Sequence, residues 1–157
     1  MKYEERAAFE QADAFGIGAP NDAYAQYFVG DSFLHPLTDP KECPVYMANV
    51  TFEPGCRNNW HIHHADKGGG QILVCTAGEG VYQEWGKEPR QLLPGDVVEI
   101  PANVKHWHGA AADSWFAHLA DSWFSHIAVE CPGENCSNEW CEPVTDEQYN
   151  SAKIERF

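Results

Sequence analysis

The sequence predicts an all-β fold, either an antiparallel sandwich or a closed barrel, on two observations. From Val45 onward, short stretches that alternate apolar and polar residues are separated by turns rich in glycine and proline, with no helical stretch between them. Histidines also recur at alternate positions in two of these stretches, at His61 and His63 and again at His106 and His108. Short strands joined directly by turns are typical of sandwiches and barrels.

The alternation of apolar and polar residues predicts seven strands between residues 46 and 109, and it is clearest in the first. Tyr46, Ala48, Val50 and Phe52 alternate with more polar neighbours, and Pro54-Gly55 makes the following turn. The complete set of expected strands in this region is 46–52, 59–64, 71–76, 81–85, 90–93, 97–100 and 105–109.

The flanking segments have different textures, and together with the strands they form one domain over residues 1–157. Residues 3–14 are rich in helix formers, and an aromatic stretch at 24–37 suggests a short helix or strand followed by an extended arm. Residues 131–144 have the composition of a loop, and 146–153 predict a last helical turn or two. We expect the barrel core at about 45–130, with a helix and arm at 1–44 and a tail at 131–157.

The two histidine pairs predict a metal site. Side chains two apart on a strand share a face, so His61 and His63 share one face, and His106 and His108 share another. Two such strands facing a common interior form a metal cage. The alternative is that the imidazoles fill polar core positions, and two pairs with matching spacing favour the metal.

Composition narrows the possible partners and location. The formal charge of −14 argues against a nucleic acid or an anionic membrane as partner. No apolar leader opens the chain and no run reaches transmembrane length, so we expect a cytoplasmic protein. The six cysteines are interpreted as reduced thiols, with a metal site in the tail as a lesser alternative.

An eight-residue segment is duplicated in tandem at 113–128. The two copies, at 113–120 and 121–128, match at six of eight positions. Both cannot occupy one ladder site, because eight strand residues span about 26 Å. We expect the second copy in the sheet and the first as an added hairpin, loop or swapped strand, with no required activity of its own.

These residues resemble the cupin superfamily of double-stranded β-helix, or jelly-roll, barrels. The first cupin motif resembles Gly55, five residues, His61-Ile-His63, then Gln71 and Gly78; the second resembles Gly95, five residues, Pro101 and then His106. The chain is similar in detail to the single-domain cupins grouped with carboxymuconolactone decarboxylases. Two departures are the glutamine at position 71, where the motif has glutamate, and Asn103, where it has glycine.

The resemblance implies that His61, His63, Gln71 and His106 bind one divalent transition metal: Zn, Mn, Fe, Ni or Cu. His108 is a substitute fourth ligand, although contact with the substrate or with a ligand is the better interpretation. His126, or its copy His118, is a candidate general base, because it alternates with Phe124 along a predicted strand. A histidine bonded to backbone or solvent is the alternative role.

The function expected from this arrangement is a metal-dependent cupin enzyme that acts on a small oxygenated carboxylate or sugar-derived compound. Lyase, decarboxylase or isomerase chemistry through a metal-stabilised enolate is the first hypothesis. An iron-dependent oxygenase and a non-catalytic metal-binding or small-molecule-binding module are the alternatives, since one fold hosts many chemistries. The arm and the exposed strand edges also predict a homodimer.

Overall fold

The computed structural model describes residues 2–112 and 122–152. Within them the chain forms two short α-helices, one 3-10 helix and fifteen strands. The helices are α1 (Arg6–Ala12), the 3-10 helix (Asp22–Tyr27) and α2 (Asp146–Ser151). The strands are β1 (Ala19–Pro20), β2 (Phe28–Val29), β3 (Ser32–Pro36), β4 (Tyr46–Phe52), β5 (Arg57–Asn58), β6 (His61–His64), β7 (Lys67–Gly68), β8 (Gln71–Gly78), β9 (Gly80–Glu84), β10 (Arg90–Leu92), β11 (Val97–Ile100), β12 (His106–Ala110), β13 (Phe124–Glu130), β14 (Gly133–Glu134) and β15 (Ser137–Trp140).

Two antiparallel sheets build the barrel. The first has the strand order β1-β3-β4-β13-β8-β11, and the second has the order β10-β9-β12-β5-β2, with β6 bonded to both β12 and β15. Leu73 and Phe124 from the first sheet pack in one buried cluster with Tyr82 and Ala110 from the second. The two sheets therefore enclose a shared interior, and the predicted all-β jelly-roll barrel is confirmed.

The outer faces of both sheets are covered by the terminal segments. Phe9 of α1 is fully buried in a cluster that includes Trp123. On the second sheet, Trp60 and Trp107 pack with Tyr149 of α2. These tryptophans alternate with the histidines along β6 and β12, so packing on the outer face orients the histidines inward.

The tail differs from its prediction. Residues 131–144 were expected to be loop, but they contain β14 and β15, and β15 pairs with the histidine strand β6. Three of the four β15 residues are exposed. An exposed edge strand lacks the alternation of apolar and polar residues that marks a half-buried strand. For this reason the sequence pattern did not predict β15.

The second copy of the duplicated segment lies in the ladder, as expected. Its residues 124–128 form most of β13, which pairs with β4 on one side and β8 on the other. The first copy lies outside the described residues. Of the chain described, no helix is both long and apolar enough to cross a membrane. All six cysteines are free.

Asn103 adopts a positive φ angle at the position where the second cupin motif usually has glycine. Its φ angle is 69°, in the left-handed region where asparagine is among the better tolerated residues. Its side chain accepts a hydrogen bond from the amide of Ala65 and donates one to the Ala65 carbonyl. This pair of bonds ties the end of β6 to the loop before β12, so it helps to hold the two histidine strands in place.

We expect Asn103→Gly to keep the turn but to lower the free energy of unfolding by roughly 1–2 kcal/mol, because both bonds to Ala65 are lost. Asn103→Ala should cost about 1 kcal/mol more, since alanine is strained at this φ. Urea denaturation measures both. Asn135→Gly is the matched control, because Asn135 also has a positive φ but its side chain donates to the exposed Asp66. Equal losses for Asn103→Gly and Asn135→Gly would contradict the structural role.

Candidate metal and catalytic site

Three histidines from two neighbouring strands meet inside the barrel. His61 and His106 are direct partners in the β6–β12 ladder, and His63 lies two residues along β6 on the same face. All three side chains are buried. Their nitrogen atoms lie within 4.8 Å of one another, so a single ion can lie between them.

The same nitrogen of each imidazole bonds to an oxygen outside the cluster. The Nδ1 acceptors are the Asn59 carbonyl for His61 (2.8 Å), the Asn138 side chain for His63 (2.8 Å) and the Val104 carbonyl for His106 (2.9 Å). Because an oxygen acceptor requires a proton on Nδ1, these bonds assign the lone pair of each neutral ring to Nε2. The Nε2 atoms of His63 and His106 are buried without a hydrogen-bond partner, as expected of metal-ligating nitrogens.

Gln71 adds an oxygen from the opposite sheet. It begins β8, is buried, and lines the same cavity as His61 and His63. Its Nε2 donates to Glu130 at 2.6 Å, while its Oε1 is buried and without a partner. Three imidazoles and one carbonyl oxygen form a donor set that suits a divalent transition metal, so the residues present fit such an ion.

The environment keeps most of this site neutral. Burial lowers the pKa of His61 well below its usual value and that of His106 to about 4. Burial also acts to lower the pKa of His63, but the hydrogen bond and charge of Glu130 outweigh it and raise that pKa. Glu130 is the neighbouring negative charge, 3.3 Å from the Nδ1 of His63.

A second histidine pair lies beside the cluster. His126 Nε2 is 3.1 Å from His108 Nδ1, and both rings are buried. The backbone amide of His108 donates to Asn58 Oδ1 at 2.9 Å, so the Asn58 amide turns its NH2 group toward the His108 ring. Asn58 Nδ2 lies 3.3 Å from His108 Nδ1 and 3.2 Å from His108 Nε2, so either ring nitrogen can accept from it. When His126 Nε2 donates to His108 Nδ1, the lone pair of His126 lies on its Nδ1, which is buried without a hydrogen-bond partner. Burial lowers the pKa of His126 to about 4, which keeps that lone pair free at neutral pH.

His61 and His63 of the cluster and both histidines of the pair line one cavity of about 180 Å³. A cavity of this size suits a small molecule. One wall is aromatic: Trp140 stacks on Tyr27 with ring centroids 4.7 Å apart and lies 4.8 Å from the His61 ring. Other lining residues are Tyr24, Phe28, Leu34, Tyr46, Ala48 and Val50.

The structure brings together nearly all the predicted site residues. His61, His63, Gln71, His106, His108 and His126 all line the site or contact residues that do. His64 points to the other side of β6 and contacts Glu139 at 2.6 Å. His118 lies outside the described residues.

Four residues of the site were missed from the sequence: Asn58, Glu130, Asn138 and Trp140. Glu130 carried a usable signal, because it lies four residues after His126 on one strand and therefore shares its face. Asn138 and Trp140 lie on β15, which gave no strand signal.

Comparison with known proteins agrees with the fold. The cupin domain family matches residues 48–120. The chain is 40% identical to the (R)-mandelonitrile lyase of Granulicella tundricola over 135 residues, which cover 85% of this chain and 94% of that protein.

Solved structures of cupins have a similar fold. A cupin-like protein from Thermotoga maritima is 36% identical, with a TM-score of 0.75 over 92% of this chain and 99% of that one. A predicted oxalate decarboxylase from the same organism is 19% identical, with a TM-score of 0.53 over 66% of this chain and 82% of that one, and shows a shared fold alone.

The buried, neutral His126 predicts acid sensitivity of the metal-free protein. Its pKa is about 4 in the folded chain, against 6.5 for an unperturbed histidine, which represents the unfolded chain. Above about pH 6.5 both forms are neutral; as the pH falls toward 4, only the unfolded chain takes up the proton. His126 should therefore lower the free energy of unfolding by roughly 3 kcal/mol between these pH values.

Urea denaturation of the wild type and of His126→Gln, both in chelator, measures this contribution as a function of pH. The gap between the two stability curves should change across the interval from pH 6.5 to 4. A gap that stays constant over that interval would show that His126 is not held neutral by burial.

Proposed function

The chain belongs to the cupin family, and we propose that it is a metal-dependent lyase that cleaves a small, neutral cyanohydrin into an aldehyde and hydrogen cyanide. One observation carries the proposal: a buried, neutral histidine pair shares a small cavity with a three-histidine cluster. The 40% identity to a mandelonitrile lyase over nearly the whole of that protein supports the substrate class.

A divalent ion held by His61, His63, His106 and Gln71 would supply Lewis acidity at one end of the cavity, lowering the pKa of a hydroxyl group there. The protein's own contribution to proton transfer is His126. When its Nε2 donates to His108 Nδ1, the Nδ1 of His126 has a free lone pair at neutral pH, and the bond to His108 fixes the orientation of the ring. Asn58 in turn holds His108.

The proposed reaction balances with His126 as the single proton carrier. His126 Nδ1 takes the hydroxyl proton of the cyanohydrin, and the C–O bond becomes a carbonyl. The bond between the carbinol carbon and the nitrile carbon breaks, and its electron pair leaves with cyanide. The proton returns from His126 to cyanide, so that the aldehyde and hydrogen cyanide depart and the histidine is neutral again.

The charges around the cavity favour a neutral substrate over the carboxylate that the sequence suggested. Among the described residues that line it, none is lysine or arginine. Glu130 lines the cavity, and its pKa is lowered because hydrogen bonds from His63 and Gln71 outweigh the opposing effect of burial. Away from the metal, a substrate carboxylate would meet this negative charge without a cationic side chain to offset it.

The aromatic wall favours a substrate with an apolar substituent. Trp140, Tyr24 and Phe28 line the cavity on the side of the 3-10 helix and β2. Trp140 is held there by its stacking on Tyr27 and its contact with Phe28. An aryl or alkyl group packed on this wall would leave the polar end of the substrate toward the histidines.

Turnover of mandelonitrile by the metal-loaded protein tests the proposal, with benzaldehyde followed by absorbance and cyanide measured separately. We expect equimolar release of the two products. His126→Ala should lower kcat by about 10²–10⁴-fold, since general-base catalysis typically contributes this much. Bound metal should be unchanged, because His126 is outside the three-histidine cluster.

His35→Ala is the matched control, since His35 is an exposed histidine on β3 and bonds to the Phe15 carbonyl. It should retain wild-type turnover. Consumption of oxygen by the loaded protein would instead support an oxygenase. Absence of turnover with every metal would overturn the lyase proposal in favour of a binding module.

The homodimer and the cytoplasmic location stay predictions. For the homodimer, β11 offers one pairing surface, because it is the last strand of the first sheet and its Val97 is half exposed.

A further inference from the structure

Glu130 is a partly buried neighbour of two predicted ligands, and the sequence did not single it out. It ends β13 and lies directly opposite Gln71 in the ladder with β8. Residues opposite each other in a ladder extend their side chains on the same face, about 5 Å apart. The carboxylate therefore lies beside Gln71 at the border of the cavity, with a third of the side chain exposed.

Each carboxylate oxygen contacts a different ligand residue. Glu130 Oε1 accepts from Gln71 Nε2 at 2.6 Å, and Oε2 lies 3.3 Å from His63 Nδ1. Asn138 Oδ1 accepts from the same Nδ1 at 2.8 Å. Glu130 thus links the glutamine on one sheet to a histidine on the other.

The contact with Gln71 determines which end of its amide faces the histidines. A glutamine side chain has a donor end and an acceptor end, and a carboxylate accepts hydrogen bonds only. Reversing the amide would place Gln71 Oε1 against Glu130 Oε1. The carboxylate therefore holds the NH2 group, which leaves the buried, unpartnered Oε1 as the free end.

Glu130 also supplies a charge that the donor set lacks. A divalent cation bound by three neutral imidazoles and one amide oxygen would have no negatively charged ligand. Burying an uncompensated charge is costly, and a nearby opposite charge lowers that cost. The glutamate of the first cupin motif would place this charge at position 71; here Glu130, which faces Gln71 across the ladder, carries a charge beside that position.

We propose that Glu130 is a positioning residue that fixes Gln71 as an oxygen donor and, through its charge, sets the affinity of the site for a divalent cation. This inference rests on the metal site within the proposed function. Gln71 and Glu130 then act as one unit, so the effects of substituting each residue on the free energy of metal binding should not be additive.

The test is calorimetric titration of Mn²⁺ into the full-length chain stripped of metal, comparing wild type with Glu130→Gln. This substitution keeps the size of the side chain and removes its charge. We expect the dissociation constant to rise about 10–100-fold, the range typical for residues that hold metal ligands. Glu99→Gln is the matched control, because it makes the same change at an exposed position on β11 in the same sheet, and it should bind like wild type.

The double variant Gln71→Glu/Glu130→Gln separates this role from a general effect on folding. It exchanges the two side chains, so one carboxylate and one amide still face each other across the ladder, with the charge now at the ligand position. We expect it to recover most of the affinity that Glu130→Gln loses. Gln71→Glu alone places two carboxylates in contact and should destabilise the metal-free fold.

The outcomes distinguish the two proposals. If the wild type binds no Mn²⁺, Zn²⁺ or Fe²⁺, the metal site itself fails. If the wild type binds and Glu130→Gln binds equally well, only the role of Glu130 is overturned. A loss in Glu130→Gln that the double variant does not recover would also overturn it, because the charge and the amide orientation would then not explain the loss.

Discussion

The candidate site depends on three of the six buried side-chain atoms that have no hydrogen-bond partner in the described part of the chain. These are the Nε2 atoms of His63 and His106 and the Oε1 of Gln71. An unsatisfied buried polar atom costs roughly 1–3 kcal/mol, so three together are a large fraction of the stability of a domain. All three belong to side chains around one point, and a bound cation would satisfy them at once. The three unpartnered atoms therefore favour a cation-binding site over a set of polar side chains that only fill the core.

Both sheets of the barrel contribute residues to this site. The histidines come from neighbouring strands of one sheet, while Gln71, His126 and Glu130 come from the other. Phe52 is fully buried and contacts the rings of Phe124, His108 and His126, so it forms the wall between the apolar core and the site. Tryptophans on the outer face hold the histidine strands from behind.

Much of this arrangement was predictable, because strand alternation is a strict geometric rule. The spacing of His61 and His63, and of His106 and His108, predicted two inward-facing pairs, and the turns between strands predicted the barrel. Gln71 required the cupin resemblance, since a single glutamine after three glycines has no periodic signal. Glu130 could have been found from its spacing to His126 on the same strand.

Other features depend on contacts that a sequence pattern does not encode. Strand β15 forms because β6 has an edge left to pair, and its exposed residues show no alternation. Its Asn138 and Trp140 reach the site only through that pairing. The hydrogen bonds that assign a proton to Nδ1 of each clustered histidine are accepted by two backbone carbonyls and one side-chain amide oxygen, whose positions follow from the folded backbone.

The central claim is that the three-histidine cluster and Gln71 hold a metal ion. Elemental analysis of the protein purified without a metal-binding tag, beside the double variant His61→Ala/His106→Ala, tests it most directly. The account predicts close to one equivalent of a divalent transition metal in the wild type and its loss in the double variant. Metal absent from both proteins after reconstitution, or retained in full by the double variant, would contradict it.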